Sequence, residues 1–466
     1  MGRSGLMGLD DFQRSFLLKD CSKVRFFLSV ILIAAVFAPF SRADEAISFR
    51  RDIAPLLQRR CATCHCEENA KGKYRLDTYS RLQKAGDSDS TPIVAGKPEE
   101  SELYQRLVET DATDRMPQKA DALPAEEISK IERWIKAGAR YDGDSLEQQM
   151  AELARESLLH PAPARYHRPA PVAALAFSPD GSQIAVGGYY EVTLWTVSDG
   201  SLVRRLGGLP ERISSLAWNE KTNVLAVAGG TPGQWGTVAL VDPTGYAAPK
   251  FLCDETETAL CVAFSPDGSM LAAAGGDRTL RLFDSSAGKE LRAIRQHADW
   301  VQTAAFDKTG TRLVTASRDR TSRIFDVQTG EVQTTYTGHD QPLLEALFSG
   351  DGTKVFSLDR NKAIQMWDSH SREKVSELKV PDTDIRHMLL WDRNIVITGT
   401  TPEIAIYQLS DRQRLFTLEG HHDSIQALAV SPSRQILASG GADGEVLIWD
   451  LACGTWVTRF KASPGW

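Results

Sequence analysis

From Phe177 onward an apolar, mostly aromatic anchor returns every 39 to 46 residues, at Phe177, Trp218, Phe264, Phe306, Phe348, Trp391 and Val430. Four anchors lead straight into a polar turn: Ser178-Pro179-Asp180-Gly181, Ser265-Pro266-Asp267-Gly268, Asp307-Lys308-Thr309-Gly310 and Ser349-Gly350-Asp351-Gly352. A run of small apolar residues follows, then a second turn holding an aspartate. A further run ends in an aromatic residue and Asp, as at Phe283-Asp284, Phe325-Asp326, Trp367-Asp368 and Trp449-Asp450. One such unit cannot bury its apolar face alone. A period of about 40–45 residues with four short strands per unit predicts sheets stacked radially as the blades of a β-propeller. Seven anchors predict seven blades over residues 171–466. The second and sixth are irregular: the second carries the insertion Thr231-Pro232-Gly233-Gln234-Trp235, and the sixth ends Ile406-Tyr407. The last repeat has its own fourth strand, Trp456 to Phe460, so no strand swap is expected. Closure of the ring is expected to draw on the segment before Val172.

Histidines recur with the repeats. His297, His339 and His421 precede Asp319, Asp359 and Asp443 by 22, 20 and 22 residues. With the aromatic-Asp endings, these pairs make the last 300 or so residues resemble WD repeats. The resemblance implies that each His sits before a blade's first strand and is hydrogen-bonded to an Asp in the turn before the third, a structural role. His370, His387 and His422 remain, scattered and without metal-ligand spacing. Cys253 and Cys261 could form a disulfide or be small buried thiols.

The other end of the chain reads as an address. Lys19, Lys23 and Arg25 precede the apolar run Phe26 to Phe40, and Ser41-Arg42-Ala43 follows with small residues at −3 and −1. This predicts a secretory signal peptide over residues 1–43. The run is shorter than the roughly 20 residues a spanning helix needs. An exported protein of the periplasm or cell envelope is therefore expected, with no stable membrane span after cleavage. The whole chain of 466 residues carries 54 basic and 61 acidic residues, a formal −7. Losing the leader leaves 48 basic against 58 acidic residues, a formal −10. An acidic balance argues against a nucleic-acid partner. Seven cysteines in this length do not make a disulfide scaffold.

Between leader and repeats lies Cys61-Ala62-Thr63-Cys64-His65. In a C-x-x-C-H pattern two thiols can add to the two vinyl groups of one haem while the adjacent imidazole reaches the iron. A redox dithiol or half a zinc site would share the C-x-x-C. The adjoining His, the export signal and the lack of a second Cys/His pair at zinc spacing favour haem. Asp52 is expected to cap a short helix with Pro55 in its first turn, leaving Ile53, Leu56 and Leu57 for a core. Pro124 is expected to open a second helix with the apolar stripe Ile128, Ile131, Trp134 and Ile135, closed by Gly138. For the sixth iron position Met116, in Arg115-Met116-Pro117, is the leading candidate. His160 and His167 are its rivals, and Met150, in a polar helical stretch, is expected to be exposed.

Residues 47–143 resemble the planctomycete-type cytochrome c domain, through Phe49-Arg50-Arg51-Asp52-Ile53-Ala54-Pro55-Leu56-Leu57, the C-x-x-C-H motif, Ile93-Val94-Ala95-Gly96-Lys97-Pro98, Arg115-Met116-Pro117 and Arg133-Trp134-Ile135. By that resemblance Cys61 and Cys64 attach one haem c, and His65 and Met116 ligate its iron. Cys66 and Leu123, the latter at the expected N-cap, depart from the usual pattern.

The expected fold is thus multidomain. A small all-α, class I-like cytochrome c domain at 44–143 is followed by a helical then Pro-rich linker at 144–170 and an all-β seven-bladed WD-repeat propeller at 171–466. This implies an exported c-type cytochrome that transfers or senses electrons, its propeller docking a redox protein partner. The pattern points away from an enzyme, since no Ser-His-Asp order, P-loop or H-E-x-x-H occurs. The open alternatives are an oxidoreductase with a second cofactor or substrate site in the propeller, and a mainly structural interaction scaffold.

Overall fold

The computed structural model describes residues 47–465, apart from 63, 68, 119, 362, 380–384, 432 and 434. The expected leader lies outside the described residues. Among the described residues no helix is long and apolar enough to cross a membrane.

The first part is helical. Ser48 Oγ accepts from the Arg51 amide at 3.0 Å, and the Asp52 carboxylate accepts from the Ser48 amide at 2.9 Å. Ser48 is therefore the cap and Asp52 its reciprocal partner, which corrects the expectation that Asp52 itself caps. The chain continues through α1 (Ala54–Arg60), α2 (Tyr79–Leu82), α3 (Glu102–Val108), α4 (Ala125–Lys136) and α5 (Met150–Leu158). Pro55 sits in the first turn of α1, where a missing amide hydrogen costs nothing. Helix α4 starts one residue later than expected: Pro124 is its N-cap, and Leu123 is a buried core residue. Ile131, Trp134 and Ile135 supply its buried stripe. At its end the Ala139 amide reaches the Trp134 carbonyl at 2.9 Å across Gly138, whose φ of +96° closes the helix.

Phe49 meets Tyr79 edge-on at 5.0 Å and Trp134 at 5.3 Å, and with Ile53, Leu57, Leu82 and Ile131 they form one core. Met150 belongs to that core too. It is 1% exposed, against the expectation of an exposed residue in a polar stretch. The polar residues Glu152 and Arg155 lie on the other side of α5, while Met150, Leu153 and Ala154 make a buried stripe that packs on α1. Thus the first half of the expected linker is a core helix. The region is also not purely helical, because His65–Cys66 pairs antiparallel with Asn69–Ala70.

The second part is a β-propeller. Five antiparallel four-stranded sheets follow one another in chain order, from Ala259–Phe264 through Thr455–Lys461. Among the described residues the other strands of this part form a single seven-stranded sheet, so five separate blades are found where seven were expected. The cause is the 17-residue strand Leu202–Trp218. Its first half pairs with Tyr189–Thr196 and its second half with Leu225–Thr231, with Arg212 paired on both sides. The Asp-Gly turns repeat one device: the Asp180 carboxylate accepts from Ser178 Oγ at 2.6 Å and the Ser182 amide at 3.0 Å, and Gly181 takes φ +67°.

The first and last sheets share one apolar cluster, including Val172, Leu175, Ala427 and Val446. Trp195 stacks on Phe460 at 4.8 Å, and the Val172 amide donates to the Gly441 carbonyl at 3.1 Å. Upstream, the Ala170 amide donates to Ser463 Oγ at 3.0 Å, so the segment before Val172 does lie along the final strand's end.

Candidate functional site

Helix α1 ends where the C-x-x-C-H segment begins. The Cys61 amide still donates to the Leu57 carbonyl at 2.9 Å, and the Cys64 and His65 amides both donate back to the Cys61 carbonyl at 3.1 Å. One tight turn therefore gathers Cys61, Cys64 and His65. Two cross-links hold the turn to the rest of the core. The Lys71 amide donates to the Cys64 carbonyl at 3.0 Å and the Leu76 amide to the His65 carbonyl at 2.9 Å. Just before the turn, Arg59 and Arg60 clamp Glu127 in the first turn of α4, at 2.8 Å and 3.0 Å. Burial works to raise the Glu127 pKa, but Arg60 and Arg59 outweigh it and hold the carboxyl low.

The His65 ring is half-buried, with Nδ1 3.3 Å from the Tyr74 carbonyl and the Tyr74 ring edge-on at 5.5 Å. A carbonyl only accepts, so this bond puts the proton on Nδ1 and the lone pair on Nε2. Burial lowers the His65 pKa, only partly offset by the Tyr74 and Lys71 backbone groups. Burial pushes the Cys61 thiol up to about 12. Cys61, Cys64 and Cys66 are all free and half-buried.

Met116 is half-buried against the same core as Cys61, Leu103, Tyr104 and Tyr74, and its amide donates to the Arg106 carbonyl at 2.8 Å. Its rivals are placed otherwise. His160 is exposed and edge-on to Tyr190 at 5.3 Å, and His167 is exposed. Met150 is spent in the core. The roles of Tyr74, Glu127 and the Arg59-Arg60 pair were not anticipated. Only the Arg-Arg doublet before the cysteine and a glutamate in the first turn of α4 could have signalled the clamp.

Helix α5 also reaches the propeller. Arg155 pairs with Asp254 at 2.6 Å and lies over the Phe251 ring, 4.4 Å from its centre. Burial pushes the Asp254 pKa up to about 6 against the pull of Arg155.

Comparison with known proteins finds different families in the two parts of the chain. Residues 61–119 match the family model for planctomycete cytochrome C. Residues 252–284, 288–326 and 412–450 match the WD domain, G-beta repeat. Among curated proteins the chain is 41% identical over 61 residues to a probable serine/threonine-protein kinase PkwA of Thermomonospora curvata. It is 39% identical over 71 residues to the sterol regulatory element-binding protein cleavage-activating protein of Xenopus laevis, and 35% over 72 residues to the small ribosomal subunit protein RACK1y of Oryza sativa subsp. japonica. These matches take in 13%, 15% and 16% of this chain and only 8%, 5% and 19% of those proteins.

Within the propeller, two of the three expected His–Asp ties form. His297 Nδ1 lies 2.9 Å from Asp319 and Nε2 2.7 Å from Thr315 Oγ1. His339 repeats this with Asp359 and Ser357, both at 2.7 Å, and Trp367 Nε1 donates to the same Ser357 at 3.1 Å. The third tie does not form. His421 Nε2 meets Ser439 Oγ at 2.6 Å, but Nδ1 has no hydrogen-bond partner. Asp443 instead takes the Lys461 ammonium at 2.7 Å. His387 is occupied by Glu345 at 2.9 Å and His370 by Ser369 at 3.0 Å, while His422 is exposed. Cys253 and Cys261 are free thiols, Cys261 buried.

Proposed function

We propose that the chain is an exported c-type cytochrome carrying one covalently bound haem, which passes or senses electrons while the propeller docks a protein partner. The observation that carries this reading is the turn after α1. It brings two free thiols and an imidazole together, with Nδ1 engaged by a backbone carbonyl and the lone pair on Nε2. That donor set fits haem c: Cys61 and Cys64 would form the thioether links, and His65 and Met116 would be the axial ligands. Bound there, the haem supplies one-electron oxidation and reduction. The residues of the chain do the rest. The Tyr74 carbonyl fixes the His65 ring and strengthens it as a donor. The Arg59, Arg60 and Glu127 clamp sets where α1 delivers Cys61. A thioether ligand from Met116 would raise the potential relative to a second imidazole.

The similarity to planctomycete cytochrome C over 61–119 supports the haem part, and the WD-repeat matches support the docking part. We read the seven-stranded sheet as two blades sharing the strand Leu202–Trp218, which makes seven in all. The acidic chain suits a basic redox partner, and such contacts are often small and transient.

The test is spectroscopy on protein exported by its own leader. We expect one reducible haem that stays with the polypeptide after denaturation and is lost in Cys61→Ser/Cys64→Ser. Met116→Ala should keep the covalent haem but lose the far-red methionine–iron band and lower the potential. A wild-type protein without covalent haem would overturn the reading, and an unchanged spectrum in Met116→Ala would remove Met116 as a ligand.

A further inference from the structure

We propose that His421, Asp443 and Glu445 in the last blade form a divalent-cation site that takes zinc or a chemically similar first-row ion. One donor atom from each residue can be chosen so that all three lie within 4.8 Å of one another. The histidine is 5% exposed and its Nδ1 has no partner, although a buried ring nitrogen normally finds one. Its orientation is fixed from the far side, where Nε2 meets Ser439 Oγ at 2.6 Å and Trp449 Nε1 donates to the same oxygen at 2.7 Å. With Nε2 protonated toward Ser439, Nδ1 offers a lone pair to the two carboxylates.

The space between these donors is kept by Gly441. A Cβ there would stand 2.5 Å from Asp443 Oδ1 and 3.1 Å from His421 Nδ1. No left-handed backbone angle requires glycine at this position. A side chain there would press on the carboxylate and the imidazole together.

The site already draws cations. Lys461 Nζ lies 2.7 Å from Asp443 Oδ2, 3.1 Å from the Asp443 carbonyl and 4.0 Å from Glu445 Oε1. Arg459 holds Glu445 from outside with two bonds of 2.6 Å, leaving each carboxylate oxygen a further lone pair. The Lys461 side chain is about one-third exposed and can swing into solvent. Its exchange for a dication changes the local charge by a single unit. One imidazole nitrogen and two carboxylate oxygens, with water completing the shell, suit zinc and its neighbours better than the all-oxygen sets of calcium and magnesium.

The two blades with completed His–Asp ties provide the internal control. There Nδ1 is already taken by the aspartate, so no donor is left over.

Equilibrium dialysis of the full chain with Zn2+ alone tests the site. Because free thiols also bind zinc, Cys61→Ser/Cys64→Ser is dialysed in parallel. We expect one zinc that survives the cysteine substitutions and disappears in His421→Gln. Lys461→Met, which removes the competing ammonium, should bind about tenfold more tightly, a gain no misfolded variant could imitate. Bound zinc should also raise the melting temperature of the wild type but not of His421→Gln. Zinc retained in His421→Gln, zinc lost only with the cysteines, or unchanged affinity in Lys461→Met would each overturn the proposal. If His421→Gln fails to fold, the Lys461→Met arm decides alone.

Discussion

The blade that carries His297 and the blade that carries His421 share the same histidine, the same aspartate 22 residues later and the same buried hydroxyl under Nε2, yet only the first closes its hydrogen-bond chain. The difference lies two residues past the aspartate. In the first blade that position is Thr321, whose hydroxyl donates to Asp319 at 2.6 Å and leaves the other carboxylate oxygen for His297. In the last blade it is Glu445, a second buried carboxylate that can give Asp443 no side-chain proton. Arg459 pairs with Glu445, and Asp443 is engaged by Lys461 rather than by the histidine. One added charge is therefore the difference to test as the cause of the new wiring. A motif match places residues correctly and can still misstate what they touch.

The largest expected effect comes from breaking a completed chain. His339 is hydrogen-bonded at both nitrogens and stacks edge-on to Tyr336. His339→Ala leaves Asp359 and Ser357 without their partner and opens a cavity, and should cost about 3–4 kcal/mol in denaturant unfolding. His421→Ala loses one hydrogen bond rather than two and should cost about half as much. Equal costs would mean the two wirings are energetically equivalent.

Acid should separate the blades next. Burial pushes the His421 pKa down to about 4, against Glu445 and Asp443, whereas the unfolded ring titrates near ~6.5. Between those values the unfolded chain binds the extra proton, so stability falls as pH drops through the window, by up to about 3.4 kcal/mol. Asp319 behaves oppositely in kind. Burial works to raise its pKa, but the His297 and Thr321 bonds hold it far below the ordinary range. Its contribution is complete above the unfolded carboxylate value of ~3.9 and is lost only as pH falls below it. Melts of metal-free protein should show an early loss that His421→Gln abolishes and a later one that Asp319→Asn abolishes. A single transition untouched by either variant would sink both assignments.

What the sequence made legible follows from what repeats. The anchors Phe264, Phe306 and Phe348, the Asp-Gly turns and the His-Asp spacings recur at a fixed period, so each occurrence supports the others and the propeller is readable. The C-x-x-C-H turn is equally local: five consecutive residues and the helix before them. Contacts that join distant positions once only were not readable. Glu445 meets Lys461 across a strand pair, Glu127 meets Arg60 across two helices, and the Tyr74 carbonyl that holds His65 has no side-chain signature at all. Met150 and the first half of the expected linker were misplaced because polarity was averaged along α5 rather than resolved by face. The unbroken strand Leu202–Trp218 escaped notice for a related reason. Its buried Leu206, Leu209 and Ile213 carry the apolar pattern straight through the expected boundary between two repeats.

The smallest expected effects bear most directly on the comparison. Asp319→Asn removes a buried, multiply bonded carboxylate and should cost about 2 kcal/mol, whereas Asp443→Asn gives up a pairing with a part-exposed lysine worth under about 1 kcal/mol. If Glu445 is the cause of the rewiring, replacing it should reverse the order. In Glu445→Thr/Lys461→Thr the last blade has a threonine hydroxyl where Thr321 stands and no ammonium competing for Asp443. Asp443 should then turn to His421 Nδ1, and a hydrogen-bonded imidazole proton should appear in the NMR spectrum beside those of His297 and His339. On that background Asp443→Asn should become about 1 kcal/mol more costly than in the wild type. A background in which the proton stays absent, and Asp443→Asn remains cheap, would trace the difference to the backbone around Gly441 rather than to the charge at Glu445.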